Sequence, residues 1–310
     1  MEASYLKTYK DSILQERIES ALSILGNCRL CPRQCEVNRL EGELGFCKTG
    51  RKAVVSSYSP HFGEEDPLVG RGGSGTIFMT HCNLGCVFCQ NYEISHLSQG
   101  IEVSATDLAQ IMLTLQRRGC HNINFVTPTH MVPQILEALP EAIEGGLKVP
   151  LVYNCGGYEE VDTLKLLDGI FDIYMPDFKF WDSEVADRFC SAPDYFGKAC
   201  AAIKEMHQQV GDLTLDQEGI AQRGLLVRHL VMPEGLAGTR ELMRFLTNEI
   251  SKDTYVNVMS QYRPCGEAHN FPELRRSITA GEFRDAVSMA QEEGIHRLDE
   301  RKLIQLFKWL

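Results

Sequence analysis

The sequence predicts an α/β fold around a parallel sheet: an open or partial (β/α) barrel of six repeats, preceded by a small cysteine-rich segment. Three observations carry this expectation. From Thr76 onward, short apolar runs alternate with longer stretches of helical periodicity, the pattern of βαβ units. Six such runs occur, fewer than the eight of a closed barrel. Before residue 74 the chain is instead dense in Cys, Gly and charge.

Residues 4–25 place Leu6, Ile13, Ile18, Ala21, Leu22 and Leu25 close to helical spacing, with Gly26 as a stop. Segment 28–73 reads as loops organised by something other than an apolar core. Its GRGGSG run at 70–75 lacks the Gly-Lys-Ser/Thr ending of a phosphate loop and serves as a flexible entry to a strand. Strands are expected at 76–80 (TIFMT), 122–127, 150–154, 171–175, 224–231 and 254–259. Helices are expected between them, at 105–118, 131–144, 159–168, 182–190, 195–209, 239–249 and 280–293. The stretch 211–223 makes a short hairpin or loop excursion. Two units follow: 1–73, an N-terminal helix with a cysteine-rich metal-binding segment, and 74–310, the barrel with a C-terminal extension.

The chain has 310 residues, 44% of them hydrophobic, enough for a large core. A net charge of −11 disfavours nucleic acid and anionic membrane surfaces as partners. Residues 1–73 hold ten basic and ten acidic side chains, so the whole acidic excess lies in residues 74–310. The N-terminus lacks a signal-peptide core, and no stretch approaches the roughly 20 apolar residues of a membrane span. A cytoplasmic protein is expected, in which twelve cysteines are thiols or metal ligands rather than disulfides.

In parallel α/β folds, ligands bind beyond the carboxyl ends of the strands. That singles out His81, residues 127–130, Asn154, Asp177, Lys179, Arg228 and residues 260–262. The loop HCNLGCVFCQN follows the first of these strands and carries Cys82, Cys86 and Cys89. Their spacing would suit buried thiols on one helical face, but Asn83 and Gly85 weaken such a helix. A structural zinc needs four ligands, with His81 as the fourth. An ordinary iron–sulfur cluster needs four thiolates. Three thiolates leave one iron uncapped, which suits a cluster that must bind something.

The run CNLGCVFC, with Phe88 at its aromatic position, resembles the CxxxCxΦC signature of radical S-adenosylmethionine (SAM) enzymes. The resemblance spans residues 74–295 and points to the pyruvate formate-lyase activating enzyme branch, among relatives with an N-terminal CxLCPRxC element. It implies a (β/α)6 radical SAM barrel in which Cys82, Cys86 and Cys89 hold a [4Fe-4S] cluster and SAM chelates the fourth iron. Reductive cleavage of SAM then gives methionine and a 5′-deoxyadenosyl radical that takes hydrogen from a protein or small-molecule substrate. A flavodoxin or ferredoxin is the implied class of electron donor. Asn91 matches the family asparagine after the last ligand. Asp177 and Lys179 reproduce the Asp-x-Lys that serves the SAM carboxylate, and with Met175 resemble part of a cation site. Arg228 resembles a strand arginine that approaches SAM. Two departures stand out: VTPTHM replaces the usual Gly-Gly-Glu, with Thr127 and Thr129 as substitutes near His130, and Asn154, followed by Cys155, replaces an aspartate.

Cys28, Cys31, Cys35 and Cys47 form a second group at spacings of two, three and eleven residues. Four cysteines so close in a chain of this kind point to a metal, with zinc and an iron–sulfur cluster both open and ordinary metal-free thiols as the remaining alternative. Tyr262 and Arg263 are placed to face a substrate, Cys265 stands isolated beside them, and Cys120, Cys190 and Cys200 read as ordinary thiols. No C-terminal cysteine cluster of the kind found in peptide maturases is present. The expected function is therefore a radical SAM enzyme of activase type. The rival readings are a zinc or iron–sulfur scaffold, and an electron carrier without SAM chemistry.

Overall fold

The computed structural model describes residues 2–299, so residues 300–310 of the expected C-terminal extension lie outside the described residues. Ten strands are present among the described residues: β1 (Ala53–His61), β2 (Ser74–Met79), β3 (Ile101–Val103), β4 (Ile123–Val126), β5 (Leu151–Cys155), β6 (Ile173–Pro176), β7 (Thr214–Leu215), β8 (Ala221–Leu230), β9 (Tyr255–Met259) and β10 (Arg297–Leu298). They form one mixed α/β sheet in the order β10-β9-β8-β6-β5-β4-β2-β1-β3, with β7 paired to β8. From β2 to β10 along this order every pairing is parallel; β1 runs antiparallel to β2 and β3. All six sequence-predicted strands are found, and 211–223 supplies the small β7 hairpin onto β8.

The parallel strands are covered on both faces, which is why they read as near-continuous apolar runs. Val152, Ile173, Met175 and Leu226 pack together on one face, while Phe125, Tyr153, Tyr174 and Val227 pack with the helices on the other. Register then aligns the strand ends: Phe78 lies beside Val126, Val126 beside Asn154, Asn154 beside Met175, and Asp177 bridges to Arg228. The polar residues singled out above thus sit along one rim because parallel register puts them there.

The helices hold where caps and periodicity agree. Helix Ala105–Arg117 starts on a reciprocal Ser104–Asp107 capping box, and Ala280–Glu292 on Thr279–Glu282. Three expectations change. The run 4–25 divides into Ser4–Lys10 and Ile13–Ile24 because Ser12 adopts φ 64°. The helix expected at 159–168 is only Val161–Lys165, and that at 239–249 relaxes into a π turn over Leu246–Ile250. The larger correction is β1: in place of the loop expected there, residues 53–61 form a strand that extends the main sheet across position 73. No helix among the described residues is long and apolar enough to cross a membrane.

Candidate active site

A cavity of about 400 Å³ opens at the carboxyl ends of the parallel strands, within the size range of small-ligand sites. Cys82, Cys86 and Cys89 line it from the loop after β2, together with Phe88 and Asn91. Thr127 enters from the end of β4, Asn154 from β5, Asp177 and Lys179 from beyond β6, and Arg228 from β8. The structure therefore brings together every residue that the SAM resemblance singled out for cluster and cofactor contact, apart from Thr129 and Met175.

The charged side chains form one array. Arg228 Nε donates to Asp177 Oδ1 at 2.7 Å, and its terminal nitrogen donates to Asn154 Oδ1 at 2.7 Å. Lys179 Nζ donates to Asp177 Oδ2 at 2.5 Å. Burial alone would raise the Asp177 carboxyl, but Arg228 and Lys179 hold it below the usual carboxylate range. Burial opposes the Lys179 charge and Asp177 outweighs it, so the ammonium persists. Arg228 thus points inward to partners rather than out to the rim. Lys179 and Arg228 are the cations of the array, the groups suited to a ligand carboxylate, with Asp177 between them and Glu64 3.8 Å from Arg228.

Burial pushes the Cys82 thiol up to about 12 and raises Cys89. Cys86 is raised too, first by its pairing with the Cys190 thiol, 3.4 Å away, and then by burial. Such thiols ionise only against a strong local positive charge, as metal binding provides with release of their protons. The donor set, its cavity and the adjoining charge array fit a thiolate-held cluster with a zwitterionic ligand beside it. Among the described residues no three Cys, His, Asp or Glu side chains converge tightly enough for one metal ion. A cluster does not require such convergence, because each thiolate binds a different iron.

Several residues stand elsewhere than expected. His81 cannot complete a zinc site as built: its nitrogens face Thr49 Oγ1 at 3.2 Å and Ser98 Oγ at 3.0 Å. Thr129 turns away to donate to Glu159 at 2.7 Å, and Met175 is buried in the strand layer. Thr127 keeps its place at φ 61°, a costly backbone for a β-branched residue and a mark of local constraint. Tyr262 packs behind Phe88 and donates to the Leu274 carbonyl at 2.8 Å, and Arg263 is exposed; neither lines the cavity, although Gln261 does. Cys155 reaches the cavity lining at the end of β5, while the buried Tyr153 hydroxyl donates to Glu159 at 2.9 Å and burial pushes the Glu159 carboxyl up to about 7.

Sequence reasoning missed two contributors. Glu64 and Glu65, between β1 and β2, line the cavity; burial and the neighbouring Glu65 carboxylate push Glu64 up to about 7. Glu65 accepts from Asn257 at 2.7 Å. The other is Cys190, brought to Cys86 by the end of helix Ser183–Cys190. An acidic pair after a predicted strand would have been the signal for the first, but β1 was not recognised.

The four N-terminal cysteines line a separate small cavity of about 10 Å³ with Arg33, Arg39, Phe46 and His130. Arg33 joins it to the first site. Its guanidinium donates to the carbonyls of Asn83 and Leu84, each at 2.9 Å, of Cys190 at 2.7 Å, and of Ser191. It also lies 3.9 Å from the centre of the Phe46 ring.

A parallel sheet whose strand ends carry three loop cysteines beside a charged, ligand-sized cavity defines a cofactor-dependent enzyme architecture. Residues 76–216 match the radical SAM superfamily, so the chain carries a radical SAM domain there. It is also similar to an uncharacterized protein of Methanocaldococcus jannaschii, 34% identical over 297 residues, covering 93% of this chain and 81% of that protein. The radical SAM domain implies an enzyme using a [4Fe-4S] cluster and SAM.

Proposed function

We propose that this chain reductively cleaves SAM in the cavity after the parallel strands, within a partial (β/α)6 barrel of the pyruvate formate-lyase activating type. The supporting observation is that Cys82, Cys86, Cys89, Asn154, Asp177, Lys179 and Arg228 share one cavity. Cys82, Cys86 and Cys89 would hold the [4Fe-4S] cluster, which when bound supplies the electron that breaks the SAM sulfonium bond. Lys179 and Arg228 would receive the SAM carboxylate, with Asp177 fixing both cations in place. Asn91, Thr127 and Asn154 are the neutral hydrogen-bonding groups available to the rest of SAM, and Phe88 walls the loop against water. The hydrogen donor is a glycine of a partner protein or a small molecule. A cytoplasmic reductant of the flavodoxin or ferredoxin class fits the thiol-rich chain. In this reading residues 1–73 are a metal-binding segment and 74–310 the catalytic unit.

The test is anaerobic purification with iron, sulfide and zinc counted, then dithionite and SAM. 5′-Deoxyadenosine and methionine should appear together. No product, with a cluster spectrum that ignores SAM, would leave an electron carrier or a metal scaffold as the better reading.

A further inference from the structure

The cavity among the N-terminal cysteines is small, about 10 Å³, the space of one ion- or water-sized occupant. Cys28, Cys31 and Cys47 are buried and close enough to interact electrostatically. Cys35 is half-buried, and its Sγ already accepts the Phe46 N–H at 3.4 Å.

The remaining wall includes His130, from the turn Thr129–Met131 after β4. Its Nε2 donates to the Thr80 carbonyl at 2.8 Å, which leaves the lone pair of the neutral ring on Nδ1. That Nδ1 is buried and has no hydrogen-bond partner. An imidazole with one nitrogen bonded to a carbonyl and the other bare is arranged as metal-binding histidines are.

Charge supplies an independent argument. Arg39 is 1% exposed, yet it has no carboxylate in ion-pair reach among the described residues. Its guanidinium donates to the Gly50 carbonyl at 2.8 and 3.1 Å and to the His130 carbonyl at 3.0 Å, and lies 3.9 Å from Cys28 Sγ. A buried cation needs an anion beside it, and the thiols are the neighbours that can become one. A divalent cation with three thiolates and a neutral imidazole carries a net charge of −1, which the buried Arg39 balances.

We propose that this cavity binds a single thiophilic divalent cation of the zinc class through Cys28, Cys31, Cys47 and His130 Nδ1, with Arg39 as buried counter-ion. This rests on the reading of residues 1–73 as metal-binding, and it chooses both the metal class and the ligand set. The donors line the cavity without yet converging, so binding draws the cysteine loops inward and releases three thiol protons to solvent. The histidine ties those loops to the turn after β4.

The experiment titrates zinc and cobalt(II) into full-length, metal-stripped protein without oxygen, against a chromophoric chelator. One tight site is expected. His130→Ala should weaken it at least tenfold, and Cys35→Ser should leave it within about threefold. His130→Cys, which supplies a fourth thiolate, should retain the metal and raise the thiolate-to-cobalt band by about one third. Metal lost in Cys35→Ser but kept in His130→Ala would overturn the ligand set in favour of four cysteines. No tight zinc, or iron with sulfide retained after Cys82, Cys86 and Cys89 are all replaced by Ala, would overturn the metal class. SAM cleavage is scored separately, so failure of that chemistry and failure of this site are distinguishable.

Discussion

Asp177→Asn keeps the shape of the side chain and deletes the charge between two cations. Asp177 accepts from Arg228 at 2.7 Å and from Lys179 at 2.5 Å, and the three side chains are only 14, 17 and 13% exposed. Removing one partner from a buried ion pair costs roughly 3–5 kcal/mol, because the charge left behind stays desolvated. Here two cations are left, and the nearest relief for Arg228 is Glu64 at 3.8 Å and the Asn154 oxygen at 2.7 Å. A loss of about 3–4 kcal/mol is therefore expected at pH 7.5, read by urea unfolding without oxygen. The sign with pH follows from the depressed folded value of Asp177. Its stabilisation is present above the unfolded pKa and is lost as pH falls through the folded one. Wild type and variant should therefore converge in acid. A difference under about 1 kcal/mol at pH 7.5 would refute the buried-array argument, since that is the worth of an ordinary surface pair. Once loaded with cluster, the variant should also bind SAM more weakly. Unchanged SAM affinity would remove Asp177 from the cofactor contacts while leaving its structural role intact.

Cys86→Ala should abolish SAM cleavage with the fold retained; cleavage that survives it would sink the cluster assignment. Arg33→Ala removes four carbonyl contacts at roughly 0.5–1.5 kcal/mol each. Amide exchange across residues 83–86 should accelerate at least tenfold, and an unchanged rate would show that the loop stands without this arginine. Burial pushes the Glu159 carboxyl up to about 7 from 4.5, so its contribution is present below the unfolded value and lost as pH rises through 7. Glu159→Gln should therefore be neutral near pH 4.5 and about 2–3 kcal/mol stabilising at pH 8. A variant that tracks the wild-type pH profile would contradict this.

The parallel strands were legible because burial on both faces leaves an uninterrupted apolar run: 254–259 was expected and Tyr255–Met259 is found. The cavity residues on them were legible for a related reason, since parallel register fixes which positions share a rim. What stayed hidden depends on partners distant in sequence. β1 reads AVVSSYSPH, whose serines and proline mask a strand that is solvent-facing over Ser57–Ser59. Missing it hid Glu64 and Glu65 as cavity residues. No local pattern marks Cys190; it reaches Cys86 because its helix ends there, with Ser191 at φ 49° turning the chain away. His130 follows Thr127 by only three residues in the sequence, but the intervening turn sends the two to different cavities.

The two cysteine groups are not independent parts of the molecule. Arg33 lies between Cys31 and Cys35 in sequence, and its side chain bonds the backbone of Asn83 and Leu84, inside the span from Cys82 to Cys86. Phe46, next to Cys47, packs so closely on Gly85 that a Cβ there would come within 2.9 Å of its ring, at a backbone φ of 70° that already favours glycine. The Cys82–Cys86 loop has no regular secondary structure of its own, so these contacts supply what a helix or strand would otherwise give it. An ion that orders Cys28, Cys31 and Cys47 would also fix the backbone on which Arg33 and Phe46 are mounted. Loss of that ion should consequently loosen the cluster loop at a distance, before the parallel sheet itself is disturbed. On this view the N-terminal segment is the outer wall of the radical site, and its metal acts on that site through position alone.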